Sequence, residues 1–104
     1  MPSRVYVVYE VTATPEPEIR GAYESYMRET HISDVLATGC FVAAQFSAAA
    51  SGPFRTSYIA SQQEHLDRYL EQHAHRMRDD FAAHFPSGIA IAREVWTVVE
   101  EWQG

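Results

Sequence analysis

The chain predicts an α+β fold with the element order β-α-β-β-α-β. Three observations carry this expectation. Runs of β-branched and aromatic residues with period-two alternation stand near both ends, two stretches hold apolar residues at helical spacing, and glycine- or proline-containing breaks separate them. A chain of 104 residues is expected to form one domain, 1–104, with no room for a second.

The first strand is expected over residues 4–12, where Val5, Val7, Val8, Val11 and two tyrosines dominate. Thr14 reads as a helix cap, with proline in the first turn and Glu16 and Glu18 facing the positive end of the helix dipole. Ile19, Ala22, Tyr23, Tyr26 and Met27 follow at helical spacing. A short turn over 33–38 closes at Gly39, a position suited to a left-handed cap. The second strand is expected over 40–47 and the third over 54–61, joined by a loop containing Gly52 and Pro53. The longest helix is expected over 63–85, with Leu66, Tyr69, Leu70, His73, Met77, Phe81 and Phe85 along one face. Pro86-Ser87-Gly88 breaks it, and a final strand runs over 89–102. This order is the ferredoxin-like split βαβ arrangement, with a four-stranded antiparallel sheet.

Alternation gives both faces of that sheet apolar residues. Val5, Val7, Tyr9 and Val11 share one face, and Tyr6 and Val8 the other. In the last strand Ile89, Ile91, Val95 and Val99 alternate with Ala90, Ala92, Trp96, Val98 and Trp102. Two helices cover only one face, and a bare apolar face is an aggregation hazard. The economical cover is a second copy of the same sheet, so the chain is expected to form an isologous homodimer, a dimeric α+β barrel.

Composition narrows the partners. The formal net charge is −6, which argues against nucleic acid or an anionic membrane. All eight basic residues are arginine. The single cysteine, Cys40, excludes an internal disulfide framework. Neither a secretory leader nor a membrane span is evident, so the cytoplasm is the expected compartment.

One stretch is distinctive enough to suggest a family. His31, Ile32, Asp34, Leu36, Ala37, Thr38, Gly39, Cys40 and Phe41 match a pattern His-Ile-Pro-acid-x-hydrophobic-Ala-Thr-Gly-Cys-Phe. Tyr69, His73, Ala74, Met77 and Arg78 match a second pattern, Tyr-x-x-x-His-Ala-Pro-x-hydrophobic-Arg. Residues 89–93 match a closing hydrophobic–Ala–hydrophobic–Arg run. On these motifs the chain resembles the bacterial domain-of-unknown-function family 4286 across nearly its whole length. Ser33 and His75 depart from it, each standing where the family has proline. The resemblance implies the ferredoxin-like fold and leaves activity open. More distantly, a histidine at the end of the first helix resembles cofactor-free mono-oxygenase, cyclase and stress-responsive barrels, a fold-level analogy.

The candidate catalytic residue is His31, as a general base in a pocket between helices and sheet. The candidate ligand-binding residues are His73, Tyr23, Tyr26, Tyr69 and Arg93: tyrosines at a pocket can hold an oxyanion, and arginine a carboxylate. Each has a plainer role beside the functional one. His31 would satisfy backbone groups at a helix junction. His73 would be a hydrogen-bonded core histidine. The tyrosines would be core residues with a hydroxyl at the edge. Arg76, Arg78 and Arg93 could ring a pocket and bind a carboxylate. Arg93 is placed with Ile91 and Val95 on one sheet face, whereas the plainer expectation for Arg76 and Arg78 is a solvated helix face, paired with Glu71, Asp79 or Asp80. Asp34 is the acid nearest His31 in sequence, and it also suits the first turn of the short helix. His65, His75 and His84 read as surface residues, and Cys40 as a small buried hydrophobe. No metal-ligand spacing and no phosphate loop is present, so no metal and no cofactor are expected. Three functions stay open: binding of a small organic molecule, cofactor-free catalysis with His31 as base, and a non-catalytic structural or interaction module.

Overall fold

The computed structural model describes residues 5–104. Strand β1 (Tyr6–Pro15) is central and pairs antiparallel with both β3 (Phe54–Ala60) and β4 (Ile89–Val98). Strand β2 (Ala43–Ala48) adds to the far side of β3, giving the sheet order β2-β3-β1-β4. The expected four-stranded antiparallel α+β fold is therefore present.

The helical layer packs on one sheet face. After a single 3₁₀ turn (Pro17–Ile19), α1 (Arg20–Tyr26) runs through a π-helical turn (Met27–His31) into α2 (Ile32–Leu36). The second crossover holds α3 (Gln63–Gln72) and α4 (Ala74–His84). The face they cover carries Val7, Tyr9 and Ala13 of β1 and Phe54, Thr56, Tyr58 and Ala60 of β3, all buried. Period-two alternation puts these side chains on one side, and each large one removed from water contributes about 1.5–3 kcal/mol.

Buried side chains form two clusters. One holds Val7, Tyr9, Val35, Phe41, Tyr58, Leu66, Tyr69 and Met77. The other holds Ala13, Tyr23, Tyr26, Met27 and Phe54. Aromatic rings dominate both, such as Phe41 against Tyr69 at 4.9 Å and Phe46 stacked on Phe54 at 5.1 Å. The Arg20 guanidinium lies 4.3 Å above the Phe54 ring and donates to the Gly52 carbonyl. This fastens the start of α1 to the β2–β3 loop.

Several boundaries differ from expectation. Arg4, at the start of the expected first strand, lies outside the described residues. Thr14 is not a helix cap: β1 continues through Thr14 and Pro15, which face Ala90 and Ile89 of β4. Cross-strand pairing outcompetes capping here, and the Glu16 N–H then donates to the Gly88 carbonyl at 2.8 Å. The segment expected as one helix over 63–85 breaks at His73, whose backbone (φ −128°, ψ −32°) leaves the helical region. Ala22 and Leu70, assigned to buried faces, are exposed. The second strand begins at Ala43 because Cys40 and Phe41 turn into the core first. The last strand ends at Val98, short of Trp102. Gly39 has φ +78°, as a left-handed closure requires.

The opposite sheet face is not apolar throughout. By register, Tyr6, Val8, Ile59, Trp96 and Val98 form a contiguous patch, with Trp96 54% exposed. Beyond Val8 the face turns polar, where Glu10 lies between Glu94 and Ser57 and Thr12 lies beside Arg55.

Candidate functional site

A pocket opens at the seam between the two core clusters, under the helices and against β1, β3 and β4. It encloses about 540 Å³ counting its open mouth. Its sheet side is built by alternation: Tyr9, Val11 and Ala13 come from β1, Tyr58 from β3, and Ile91 and Arg93 from β4. Tyr23 of α1, Met27 and His31 of the π turn, Tyr69 of α3, and Met77, Arg78 and Phe81 of α4 complete it.

The structure sorts the candidates. His31, Tyr23, Tyr69 and Arg93 line the pocket; Tyr26 and His73 do not. Tyr26 stands behind His31, its ring 5.6 Å away, and packs against His84 at 4.3 Å. His73 lies at the α3–α4 break, its ring 6.4 Å from that of Tyr69. It is half-buried there, beside the pocket but outside its lining. The expected arginine pairing also changes. Arg78 is exposed, as expected, but pairs with no acid: its guanidinium donates to the Tyr9 hydroxyl at 3.1 Å. Arg76 stays exposed, and neither arginine makes an ion pair among the described residues.

His31 ends the π turn, an irregularity that recurs at functional sites. It is half-buried between the Tyr26 ring and the Phe81 ring, the latter 5.9 Å away edge-on. Burial pushes its imidazole below the ordinary value of 6.5, partly offset by the negative charges of Asp34 and Asp80. The neutral imidazole that results keeps the free lone pair a general base needs, while its lowered value makes it a weaker base than an exposed histidine. Asp34 occupies the first turn of α2, as expected, and Asp80 is a second acid within electrostatic reach that the sequence did not point to.

The tyrosines differ among themselves. Burial pushes Tyr23 and Tyr69 each up to about 12. For Tyr69 the Tyr9 neighbour adds to the rise, while Arg78 and Arg93 pull the other way. Tyr58, which sequence reasoning missed, is 2% exposed and its hydroxyl has no hydrogen-bond partner. Burial drives its proton affinity up further than for any other tyrosine described. The alternation Phe54, Thr56, Tyr58, Ala60 was the available signal for it. Unpaired buried hydroxyls are costly, of order 1–3 kcal/mol, and are therefore uncommon. Tyr58 is also one of the residues that line the pocket.

The other polar groups lie apart. The Cys40 thiol is buried and accepts from Arg68 Nε at 3.4 Å. His65 bonds Ser61, and His75 pairs with Asp79 at the surface. Among the described residues no group of three or more His, Cys, Asp or Glu side chains is placed to hold a metal ion, and no helix is long and apolar enough to cross a membrane.

Solved structures share this architecture. A monooxygenase of Streptomyces coelicolor, in complex with nanaomycin D, superposes with a TM-score of 0.74 at 14% identity, covering 97% of this chain and 94% of that one. A dimeric ferredoxin-like protein from an uncultured marine organism gives 0.71 at 6% identity, covering 94% and 98%. A protein of unknown function from Nitrosomonas europaea gives 0.69 at 13% identity, covering 98% and 97%. At these identities the likeness concerns the fold. No curated protein matches the chain in sequence. The family model for a domain of unknown function, DUF4286, matches residues 6–99, and the chain belongs to that family.

Proposed function

We infer that this protein binds a small organic molecule, aromatic in part and bearing oxygen, in the pocket between its helices and its sheet. The observation that carries this reading is the seam between the two core clusters, left open and lined by aromatic rings that include Tyr58, whose buried hydroxyl has no partner. A solid core would have filled that seam with aliphatic side chains. Aromatic walls favour a flat ligand, and a few convergent polar groups fix its orientation. The Streptomyces neighbour, which holds nanaomycin D, supports the same use of the fold.

The binding unit is a homodimer joined through the Tyr6, Val8, Ile59, Trp96 and Val98 patch. A contiguous apolar patch on an otherwise charged surface favours this, as do two fold neighbours described as dimeric ferredoxin-like proteins.

1-Naphthol tests the pocket. Calorimetric titration is expected to show saturable binding to the wild type and none to Ile91→Trp, which fills the seam from β4. Equal binding to both proteins would place the ligand elsewhere and defeat the reading.

A second reading, cofactor-free catalysis with His31 as general base, is favoured by the buried, neutral imidazole at the pocket wall. It predicts that the protein speeds exchange of the acidic C1 protons of 2-tetralone with deuterated water. His31→Ala abolishes that rate, and an equal rate in the variant would exclude the base.

A further inference from the structure

The pocket also carries charge. Arg78 and Arg93 both line it, one from α4 and one from β4, and neither has an acidic partner among the described residues. Arg78 spends one N–H on the neutral Tyr9 hydroxyl. The carboxylates nearest Arg93 in sequence and register, Glu10 and Glu94, alternate onto the opposite face of the sheet. Among the described arginines only Arg28 makes an ion pair, so what distinguishes Arg78 and Arg93 is that both line one pocket, in a chain of net charge −6. Both charges act on Tyr69, a residue of the same pocket wall.

Guanidinium groups left unpaired at a concave, partly desolvated site favour an anion, since charge-assisted bonds are the strong ones there. The walls beside them include the rings of Tyr9, Tyr69 and Tyr58, which demand a flat body. Accordingly, and resting on the pocket-binding reading above, we propose that the ligand is a planar aromatic monoanion, its charge held by Arg78 and Arg93 and its far oxygen reaching toward the Tyr58 hydroxyl. The anion is a carboxylate or an acidic enol, and both present the same delocalised oxygen pair to a guanidinium fork.

Two matched pairs of probes separate charge from shape. The first is 2-naphthoate against 2-naphthamide, the second 2-hydroxy-1,4-naphthoquinone, ionised at neutral pH, against its neutral 2-methoxy ether. Calorimetry at constant ionic strength is expected to give at least ~10-fold tighter binding for the anion of one pair or both, and the pair with the larger ratio identifies carboxylate or enol as the source. Arg93→Gln, at an exposed strand position, lowers that ratio several-fold without touching the core. Arg78→Gln with Arg93→Gln brings it to about one while the neutral compounds still bind. Arg76→Gln, outside the pocket, leaves it unchanged. Near-ultraviolet circular dichroism verifies that each variant is folded, and Arg93→Gln alone suffices should the double variant unfold. Equal affinity for anion and neutral partner in the wild type would overturn the charge assignment and leave the pocket standing. Absence of binding by all four compounds would overturn the pocket and this proposal together.

Discussion

Removing one oxygen atom from Tyr58 should make the protein more stable. In Tyr58→Phe the ring keeps its contacts, 5.3 Å to Phe41 and 6.3 Å to Tyr9 between centroids, so no cavity opens. What disappears is a buried hydroxyl without a partner, whose desolvation costs about 1–3 kcal/mol. The variant should gain at least about 1 kcal/mol. With a urea slope of about 1–3 kcal/mol per molar, that moves the midpoint up by roughly 0.3–1 M. Both proteins must be compared at one protein concentration, because self-association shifts the midpoint by mass action. The same variant should bind 1-naphthol more weakly, the usual exchange of stability for function at a site. A midpoint lowered by a comparable amount would show that the hydroxyl is bonded in solution, and the argument from an orphaned group would collapse.

Three further outcomes are expected. His31 binds protons less well folded than unfolded, so its contribution to stability is complete above its ordinary value of 6.5 and is lost as pH falls below it. His31→Phe should therefore gain on the wild type from about pH 7.5 down to about pH 5, and parallel urea profiles across that window would refute the burial argument. His75→Pro should change stability by no more than about 1 kcal/mol, since position 75 lies in the first turn of α4, whereas an unbroken helix would lose about 3 kcal/mol or more. Trp96→Glu should turn a sedimenting dimer into a monomer at equal concentration, and an unchanged sedimentation coefficient would remove that face as the interface.

Strands were legible because their signal is local and strong. In β1 the alternation of Val7, Tyr9 and Val11 against Tyr6 and Val8 fixes both the strand and its faces. Helix ends were less legible. Thr14 and the prolines carry cap chemistry, yet the register that holds Thr14 opposite Ala90 is set by a strand 75 residues on, which no local pattern reveals. The break at His73 was hidden because residues on each side keep helical spacing separately, while their two faces no longer coincide. That offset explains the misplacement of His73 and Leu70 together. The family pattern held the missing clue: its proline at position 75 belongs in the first turn of a new helix, and the turn persists here with histidine in its place. Of the pocket lining, Tyr23, Tyr69 and Arg93 follow from helical spacing and strand alternation, and His31 from its place at the end of the first helix. Tyr58 shares its face with Phe54 and Thr56, and in a strand a tyrosine reads as one more buried aromatic.

The π turn before His31 carries a consequence for insertions and deletions. A regular α-helix advances by about 100° of rotation per residue, so the chain length between Tyr23 and His31 sets the azimuth at which the imidazole emerges. Deleting Glu29, an exposed residue inside the turn, would swing everything after it by roughly that angle relative to α1. His31 would rotate out from between Tyr26 and Phe81, and Ile32 would take its place in the wall. Among members of this family, a length change in these five residues should therefore travel with a change in what the pocket accepts, even where every lining residue is otherwise kept.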